Sequence, residues 1–554
     1  MRNPRRLLVP IVLIAAAAVR LPAQDLGWVT DRLFAAADSA EFLKAKASAA
    51  KAFAEGAAVD RATMARLEAA IAKSGPPRDP QSASREFPVK VPGGHTLGVL
   101  MFVPKTVKAG TPLPLVLAFG GGPVPKGRRG DAGVEQQARM MRQVWTKAAA
   151  DAGWLVAAVT DEISRSSSGV RYEIIRPDHL EAVLRGIRTR YDVDEDRTFM
   201  TGISLGSNYA LQCGACRPEL FCGSVPVATE GEARRAVLAN LVTYPSYVLV
   251  GARDRNIRSI AGPRAFRRVM TELGYDHGYE EEARGGHEGF SHKYPAVLKW
   301  FGSRPRRVWR GRVVRVPHPA ITAPDRRRYW IAADTRQAAF TSSLDAGTNR
   351  LEITAGALTR LDLWLSDRLV DLDRNVRVVV NGVVLHDALV RRDPHLALET
   401  VRTTGDRRRV PTARVVVDVP AKVLESKKHR AALDRLVTDS AELPRLAYWE
   451  HYALRHLRET RKQAGWTGTA KDLAGGRRGF EIATVEDGAP AAKAGLKVGD
   501  IVETFDGNPF FADDDPGALM RMWCLREEYP GTGLMIRVRR ASGESAEIRI
   551  DLSR

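Results

Sequence analysis

The segment Gly202-Ile203-Ser204-Leu205-Gly206 is the strongest chemical signal in the sequence. It follows a strand-like run at 197–201 and precedes a helix-like run at 207–216. A serine on a sharp strand-to-helix turn exposes its hydroxyl, and small residues two positions away on either side avoid a backbone clash. The start of the helix also stabilises negative charge. The pattern therefore predicts Ser204 as a nucleophile.

A serine hydroxyl needs a base to take its proton, and the base needs an acid to orient it. Asp254 follows one buried strand-like run, and His287 follows the next one and precedes a helix-like run. Each of the two intervals is long enough for a helix and a strand. The order serine, acid, histidine predicts a Ser204–His287–Asp254 triad. Three residues stay open as alternatives: Asp276 as the acid, and His277 or His292 as the base.

A second glycine-rich segment, Gly120-Gly121-Gly122-Pro123, ends the apolar strand-like run at 115–119. Backbone N–H groups in such a loop can point at an oxyanion that develops on a substrate. The sequence predicts Gly121 as one donor and Leu205, directly after the nucleophile, as the other. A phosphate-binding loop is excluded because no Gly-Lys-Ser/Thr follows. A plain glycine turn is the alternative.

The segments that must position these residues alternate between strand-like and helix-like patterns from residue 86 to residue 303. Such alternation predicts an α/β fold with a mostly parallel sheet and helices on both faces. Apolar runs predict strands at 97–103, 113–119, 154–159, 198–201, 224–228 and 247–250, and amphipathic stretches predict helices at 134–149, 179–189 and 262–273.

The rest of the chain divides into segments of different character. Residues 24–85 have apolar positions at helical spacing and form a predicted helical prefix. Residues 304–420 contain short alternating runs between turn residues, which predict a small all-β domain of the sandwich type. Residues 421–462 are expected to be a helical connector, and residues 463–554 form the last unit.

Residues 86–303 resemble the α/β-hydrolase superfamily. The resemblance is strongest to the polyhydroxybutyrate-depolymerase and feruloyl-esterase group and to prolyl-oligopeptidase-like hydrolases. It is carried by the residues at 115–122, 202–206, 251–254 and 286–287. The resemblance implies the Ser204–His287–Asp254 triad and acyl-enzyme chemistry, and it fixes the class of reaction but not the substrate. Esters and peptides both stay open as substrates, and we expect a carboxylic ester rather than a peptide. The chain departs from the family pattern at Phe119, because relatives commonly carry a histidine before the glycines.

The segment at 488–502 resembles the PDZ domains of bacterial trypsin-like proteases, and residues 505–508 continue the match. The resemblance implies that 463–554 is a PDZ domain. Such domains bind an extended peptide as an added strand and hold its C-terminal carboxylate on backbone N–H groups. The expected groove lies between a helix near 517–527 and the segment after Gly465-Trp466-Thr467-Gly468, which loosely matches the usual carboxylate loop. A PDZ domain that serves only for packing is the alternative.

The chain is strongly basic, with 85 Lys and Arg against 65 Asp and Glu and a formal net charge of +20. The basic residues are dispersed, and their short clusters carry no interleaved aromatic residues in a nucleic-acid motif. We therefore expect a solvated basic surface and no nucleic-acid partner. An anionic polysaccharide partner stays open.

The N-terminus has the pattern of a signal peptide. Arg2, Arg5 and Arg6 precede an alanine-rich apolar stretch at 7–19, and Ala23 offers a small residue before a cleavage site. The apolar stretch is shorter than the roughly 20 residues that span a bilayer. We expect export to the periplasm or beyond, and no transmembrane segment after cleavage of residues 1–23.

Four cysteines are present: Cys213, Cys216, Cys222 and Cys524. The spacing of the first two suggests a redox motif, but such a motif needs a helix N-terminus to lower the thiol pKa, and this one comes late in a helix-like run. No second pair supplies zinc ligands, so we expect no metal and no cofactor. Buried thiols are expected, with a Cys216–Cys222 disulfide as the alternative.

Two functions of different classes are consistent with these patterns. The first is an exported serine hydrolase that cleaves an ester or peptide-like acyl bond and uses its last domain to bind a peptide or partner. The second is a catalytically silent binding or scaffold protein that acts through its β and PDZ domains. The complete set of serine, acid and histidine favours the first.

Overall fold

The computed structural model describes residues 53, 59–76, 86–94, 96–105, 111–121, 131–160, 177–229, 231, 235–254, 261–317, 326–335, 337–438, 465–474, 477–505, 508–511 and 534–550. The predicted signal peptide, most of the helical prefix, the helix expected near 517–527 and Cys524 lie outside these residues. Within them, no helix combines the length and the apolar character needed to cross a membrane.

The first unit alternates strands and helices, as predicted. Its strands are β1 (Glu86–Lys90), β2 (Thr96–Phe102), β3 (Leu113–Phe119), β4 (Leu155–Thr160), β5 (Val193–Ile203), β6 (Gly223–Val227), β7 (Ser246–Gly251) and β8 (His277–Glu282). Its helices are α1 (Arg61–Lys73), α2 (Asp131–Ala152), α3 (Pro177–Arg188), α4 (Leu205–Cys216), α5 (Arg235–Leu238), α6 (Ala261–Glu272) and α7 (Tyr294–Gly302).

In the described residues these strands form an eight-stranded sheet with the order β1-β2-β4-β3-β5-β6-β7-β8. The pairs β1–β2 and β2–β4 are antiparallel, and the strands from β4 to β8 run parallel. Helices α3, α4 and α6 cover one face, and α2 and α7 cover the other. Strands covered on both faces are apolar throughout, which explains the continuous apolar runs of β3 and β7. The predicted mostly parallel sheet is confirmed, although β1 was not predicted.

The segment at 304–420 contains two packed sheets that share one hydrophobic core around Trp330. The strands are β9 (Val313–Arg315), β10 (Arg327–Arg328), β11 (Ile331–Ala333), β12 (Ala339–Asp345), β13 (Arg350–Gly356), β14 (Arg360–Leu365), β15 (Val376–Val380), β16 (Val383–Ala388) and β17 (Ala413–Asp418). In the described residues, one sheet has the order β10-β11-β14-β17 and the other has the order β16-β15-β13-β12-β9.

This segment is not all-β, which corrects the sequence-based expectation. Helix α8 (Pro394–Thr404) lies between β16 and β17. Asp393 caps its start by accepting a hydrogen bond from Leu396 N at 3.1 Å, and Gly405 ends it with a φ of 66°. The apolar side of α8 packs against α1. The helix was missed because its apolar positions face another part of the chain and not the sandwich core.

Buried ion pairs join the sandwich segment to the α/β unit. Arg407 binds Glu195, on β5, at 2.7 Å, and Asp406 lies 3.5 Å from Arg188, on α3. Within its own segment, Asp406 also binds Arg306 at 2.6 Å. Burial by itself would raise the pKa of Asp406, but Arg306 and Arg188 outweigh burial and hold that pKa well below its ordinary value. Removing one partner of such a pair leaves an uncompensated buried charge. The two units are therefore held together by charges as well as by apolar contacts.

The predicted connector at 421–462 begins as packed structure. It contains α9 (Ala421–Leu424) and α10 (Lys427–Thr438). The side chain of Leu433 on α10 lies against the end of β13, with Cδ1 3.2 Å from the position of a Cβ built on Gly356. Its described part therefore belongs to the sandwich and is not a free linker.

The C-terminal unit is built on a sheet with the order β18-β19-β21-β20-β22-β23 in its described part. The elements are β18 (Trp466–Leu473), β19 (Arg477–Val485), α11 (Pro490–Lys493), β20 (Ile501–Phe505), β21 (Asn508–Phe511), β22 (Leu534–Arg539) and β23 (Ser545–Ile550). The helix, turn and strand expected from the 488–502 signature are present as α11 and β20. Membership of the PDZ family stays a prediction.

The clustered cysteines Cys213, Cys216 and Cys222 are buried as thiols, and they form no disulfide with one another. Burial raises the pKa of the Cys222 thiol. A buried thiol with a raised pKa is a poor nucleophile and a poor metal ligand. The expectation of buried thiols is confirmed for these three residues.

Candidate active site

The nucleophile candidate lies on the turn between β5 and α4. Ser204 has φ 55° and ψ −119°, a conformation that non-glycine residues rarely adopt. Its N–H donates to Val227 O at the end of β6, at 2.9 Å. Its carbonyl oxygen accepts from Ser207 N at 3.0 Å and also from the Ser207 hydroxyl. Bonds on both sides of the turn therefore hold the strained residue in place.

The motif glycines are required by close backbone approach. A Cβ on Gly206 would lie 2.3 Å from Gly120 O and 2.6 Å from Phe119 O. A Cβ on Gly202 would lie 2.1 Å from Gly206 O. Real Cβ atoms do not approach oxygen so closely, so only glycine lets β3, the turn and α4 pack in this way.

The predicted acid and base are in direct contact. Asp254, three residues beyond β7, accepts a hydrogen bond from His287 Nδ1 at 2.8 Å. The Asp254 side chain is fully buried, and that of His287 is 20% exposed. Since a carboxylate only accepts hydrogen bonds, Nδ1 carries the proton and Nε2 is left as an acceptor. This is the orientation that a histidine needs in order to act as a general base.

The segment after His287 passes beside the nucleophile turn. A Cβ on Gly289 would lie 4.0 Å from Cδ1 of Ile203, which directly precedes Ser204. The serine, the acid and the histidine follow β5, β7 and β8, which run parallel. All three therefore lie at the carboxyl edge of the sheet, where open α/β sheets bind ligands.

The predicted oxyanion loop adjoins the nucleophile. A Cβ on Gly121 would lie 2.3 Å from Ile203 O and 2.9 Å from Ser204 Cβ, so the two backbones touch. Leu205 begins α4, so its N–H belongs to the first turn of that helix. Phe119 is 1% exposed and packs edge-on against Tyr209, with ring centroids 6.1 Å apart. Phe119 therefore fills the core and supplies no side-chain donor at this edge.

The alternative acid and bases have other partners. His277 begins β8, at the end of that strand away from the nucleophile turn. Asp276 is ion-paired with Arg304 at 2.9 Å. His292 lies close to the site, but its Nε2 is bound to Glu282 Oε1. The structure therefore brings His287, and not these residues, into contact with the predicted acid.

Two residues of the histidine segment were not predicted. Glu288 accepts a hydrogen bond from Gly286 N at 3.1 Å and so shapes the turn around His287. Phe290 is 3% exposed and has a φ of 51°. Nothing in the local sequence indicates the Glu288 contact or a left-handed phenylalanine, so both depend on the fold.

Comparisons with known proteins give matches to solved structures only. No protein-family model matches the chain, and no curated protein matches it. A thermostable esterase shares 22% identity, over 40% of this chain and 64% of that chain, with a TM-score of 0.33. Dipeptidyl peptidase 4 from Porphyromonas gingivalis shares 15% identity, over 40% of this chain and 35% of that chain, with a TM-score of 0.32. A ferulic acid esterase shares 13% identity, over 39% of this chain and 97% of that chain, with a TM-score of 0.32.

The matched region corresponds to about two fifths of the chain. The chain spans less than two thirds of the length of the first two structures. Both esterases and a peptidase occur among these matches, and their overall similarity is low. The activity of this protein is therefore inferred from its own residues.

Proposed function

We propose that this protein is a serine hydrolase of the α/β-hydrolase type that cleaves an acyl ester through a covalent acyl-enzyme. The observation that carries the proposal is the 2.8 Å hydrogen bond from His287 to the buried Asp254, at the sheet edge where Ser204 lies on a strained turn. An oriented histidine at the same sheet edge as a serine on such a turn is the arrangement that activates a serine hydroxyl.

The proposed reaction has two halves. His287 Nε2 takes the proton of Ser204 Oγ as that oxygen attacks the acyl carbon, and the N–H groups of Gly121 and Leu205 stabilise the oxyanion. His287 then gives the proton to the leaving alcohol, so that the acyl group stays on Ser204. A water molecule, deprotonated by His287, hydrolyses this ester and restores the serine. Asp254 keeps the imidazole oriented and stabilises its charged form.

An ester is the substrate class that we propose, and the test includes peptides as well because the family resemblance does not fix the substrate. The proposal includes export through the predicted signal peptide, with cleavage near Ala23. N-terminal sequencing of the protein from its native host would then begin near Gln24. A mature chain that begins at Met1 in the cytoplasm contradicts export without touching the proposed chemistry.

The decisive experiment is covalent labelling of the full chain with a fluorophosphonate probe, followed by peptide mapping. We expect the label on Ser204 and its loss in Ser204→Ala. The exposed Ser291, four residues beyond His287, gives a matched control, and Ser291→Ala should label like the wild type. Turnover of p-nitrophenyl esters and of peptide anilides then ranks the two substrate classes. A wild-type protein that neither labels nor hydrolyses any of them supports the silent scaffold instead.

A second candidate function, binding of a peptide C-terminus, is supported by the position of β18 at the edge of its sheet within the described residues. An edge strand can accept an added strand. Of the residues expected at the peptide groove, Trp466, Thr467 and Gly468 lie within β18 and pair with β19. Aromatic and β-branched residues favour a strand here, and only Gly465, with a φ of 70°, precedes it.

Titration of the full chain with a library of free-acid peptides tests this second function. We expect weak binding that is lost when the same peptides carry a C-terminal amide. Equal binding of acid and amide forms would exclude carboxylate recognition. No binding of either form would leave a packing role for the unit.

A further inference from the structure

The segment that carries His287 is irregular over 283–290, between β8 and a short 3-10 helix, Ser291–Lys293. Such a segment has no ladder of hydrogen bonds to fix it, so its position depends on individual contacts. A general base has to be placed to within a fraction of an ångström of its proton donor. The contacts at the two ends of this segment therefore bear on catalysis.

At the start of the segment, the backbone carbonyl of Glu282 binds two loops at once. It accepts from Gly285 N at 3.0 Å and from Ala252 N at 2.9 Å. Arg253 N donates in turn to Gly285 O at 2.9 Å. The end of β8 thus joins the loop that leads to the acid with the loop that leads to the base.

At the far end of the segment, the contact is made by the side chain of Glu282. His292, five residues after His287, is bound through Nε2 to Glu282 Oε1. Between them, Phe290 is buried, and its Cε1 lies 2.9 Å from the position of a Cβ on Gly285. Glu282 therefore closes the histidine segment into a loop whose two ends meet at one residue.

The charged residues next to His292 and Glu282 are ion-paired with other residues. Lys293 binds Glu280 at 2.7 Å, and Arg264 binds Glu281 at 2.6 Å. The His292 side chain is 60% exposed, so its pair with Glu282 contributes little to global stability. Its effect is local, because it ties the far end of an irregular segment to the end of β8.

We propose that Glu282 and His292 are positioning residues that hold the imidazole of His287 against the nucleophile. This inference rests on the proposed hydrolase function. It requires that loss of either side chain lowers the rate of the chemical step while leaving substrate affinity and the fold nearly unchanged. A purely structural role would instead change the unfolding temperature.

The test compares His292→Ala and Glu282→Ala with His277→Ala, which removes a histidine from the other end of the same strand. Nδ1 of His277 lies 2.9 Å from Tyr275 O, away from the site. We expect about a tenfold lower kcat, and an equal loss in the rate of fluorophosphonate labelling, in the first two variants only. KM and the unfolding temperature should stay near those of the wild type. His292→Arg, which offers Glu282 another N–H donor, should recover most of the rate.

Wild-type kcat in His292→Ala, or the same loss in His277→Ala, overturns the inference. A loss that is accompanied by a lower unfolding temperature, and that His292→Arg does not recover, also overturns it. Failure of the hydrolase function is a separate outcome, namely no label on Ser204 in the wild type. In that case the downfield NMR resonance of the His287 Nδ1 proton gives the answer. It should be sharp in the wild type and in His277→Ala and broadened in His292→Ala, and a signal unchanged in His292→Ala contradicts positioning.

Discussion

Asp254 and His287 are joined by a 2.8 Å hydrogen bond in which the carboxylate is fully buried and the imidazole is partly exposed. The buried partner is fixed, and the exposed partner can reach substrate. The bond also selects the tautomer, because the proton on Nδ1 leaves Nε2 as the acceptor. This asymmetry assigns the orienting role to Asp254 and the proton-transfer role to His287.

Replacing the acid tests this assignment. We expect Asp254→Asn to lower kcat by about 10⁴, because an amide favours the wrong tautomer of His287. Asp276→Asn is the matched control, since Asp276 is an aspartate ion-paired with Arg304 away from the site. Steady-state kinetics on an ester that the wild type hydrolyses measures both. Equal activity of Asp254→Asn and wild type would show that the hydrogen bond has no catalytic role.

Removing the nucleophile has the largest expected effect. Ser204→Ala should reduce turnover by about 10⁶, since the residual rate comes only from binding and the oxyanion hole. His287→Ala should cost a similar amount, because triad members act as a unit. The fold should be retained, which circular dichroism and thermal unfolding check. Substantial esterase activity in Ser204→Ala would place the nucleophile elsewhere.

The oxyanion loop is tested with a methyl group. In Gly121→Ala the new Cβ would meet Ile203 O and Ser204 Cβ at 2.3 and 2.9 Å, so the loop has to move. Displacing one oxyanion donor should lower kcat by about 10²–10³ with little change in KM. Gly302→Ala, where no atom lies within 4 Å of the new Cβ, should be neutral. If both alanine variants keep wild-type kcat, Gly121 does not contribute a donor.

The buried carboxylate of Asp406, which faces Arg306 of its own segment and Arg188 of the α/β unit, should be important for stability. Asp406→Asn removes this negative charge from between two buried guanidinium groups, and we expect unfolding to become easier by about 3–5 kcal/mol. Asp387→Asn, which breaks the exposed pair with Arg377, should cost less than about 1 kcal/mol. Denaturant titration of the three proteins measures the difference. Equal stabilities would mean that the buried pair contributes nothing beyond an exposed one.

The stability of the protein in acid should also depend on Asp406. Since Arg306 and Arg188 hold the pKa of Asp406 below its ordinary value despite burial, its ionised form stabilises the fold fully above about pH 4. That contribution is lost as the pH falls from there through the lower folded-state pKa. The stability gap between wild type and Asp406→Asn should therefore narrow below pH 4. Unfolding curves at pH 7 and at decreasing pH check this, and a gap that widens in acid contradicts it.

The nucleophile turn, the buried strands and the order of the triad residues could be predicted from the sequence. The Gly202–Gly206 motif fixes its own turn, because only glycine tolerates the backbone contacts on either side of Ser204. Apolar runs marked the strands that both layers of helices cover, and their order placed Asp254 and His287 after later strands. Those features depend on neighbouring residues or on burial in general, so the sequence by itself determined them.

Other features were decided by tertiary structure alone. The pairing of Arg306 with Asp406, the contact of α8 with α1 and the bond between His292 and Glu282 join residues that no local pattern relates. A charged residue is expected at the surface when only the sequence is known. Its burial or its pairing can be recognised only when the fold places a residue of opposite charge next to it. The sequence therefore determined which groups can react, and the packing of distant segments decided how they are held.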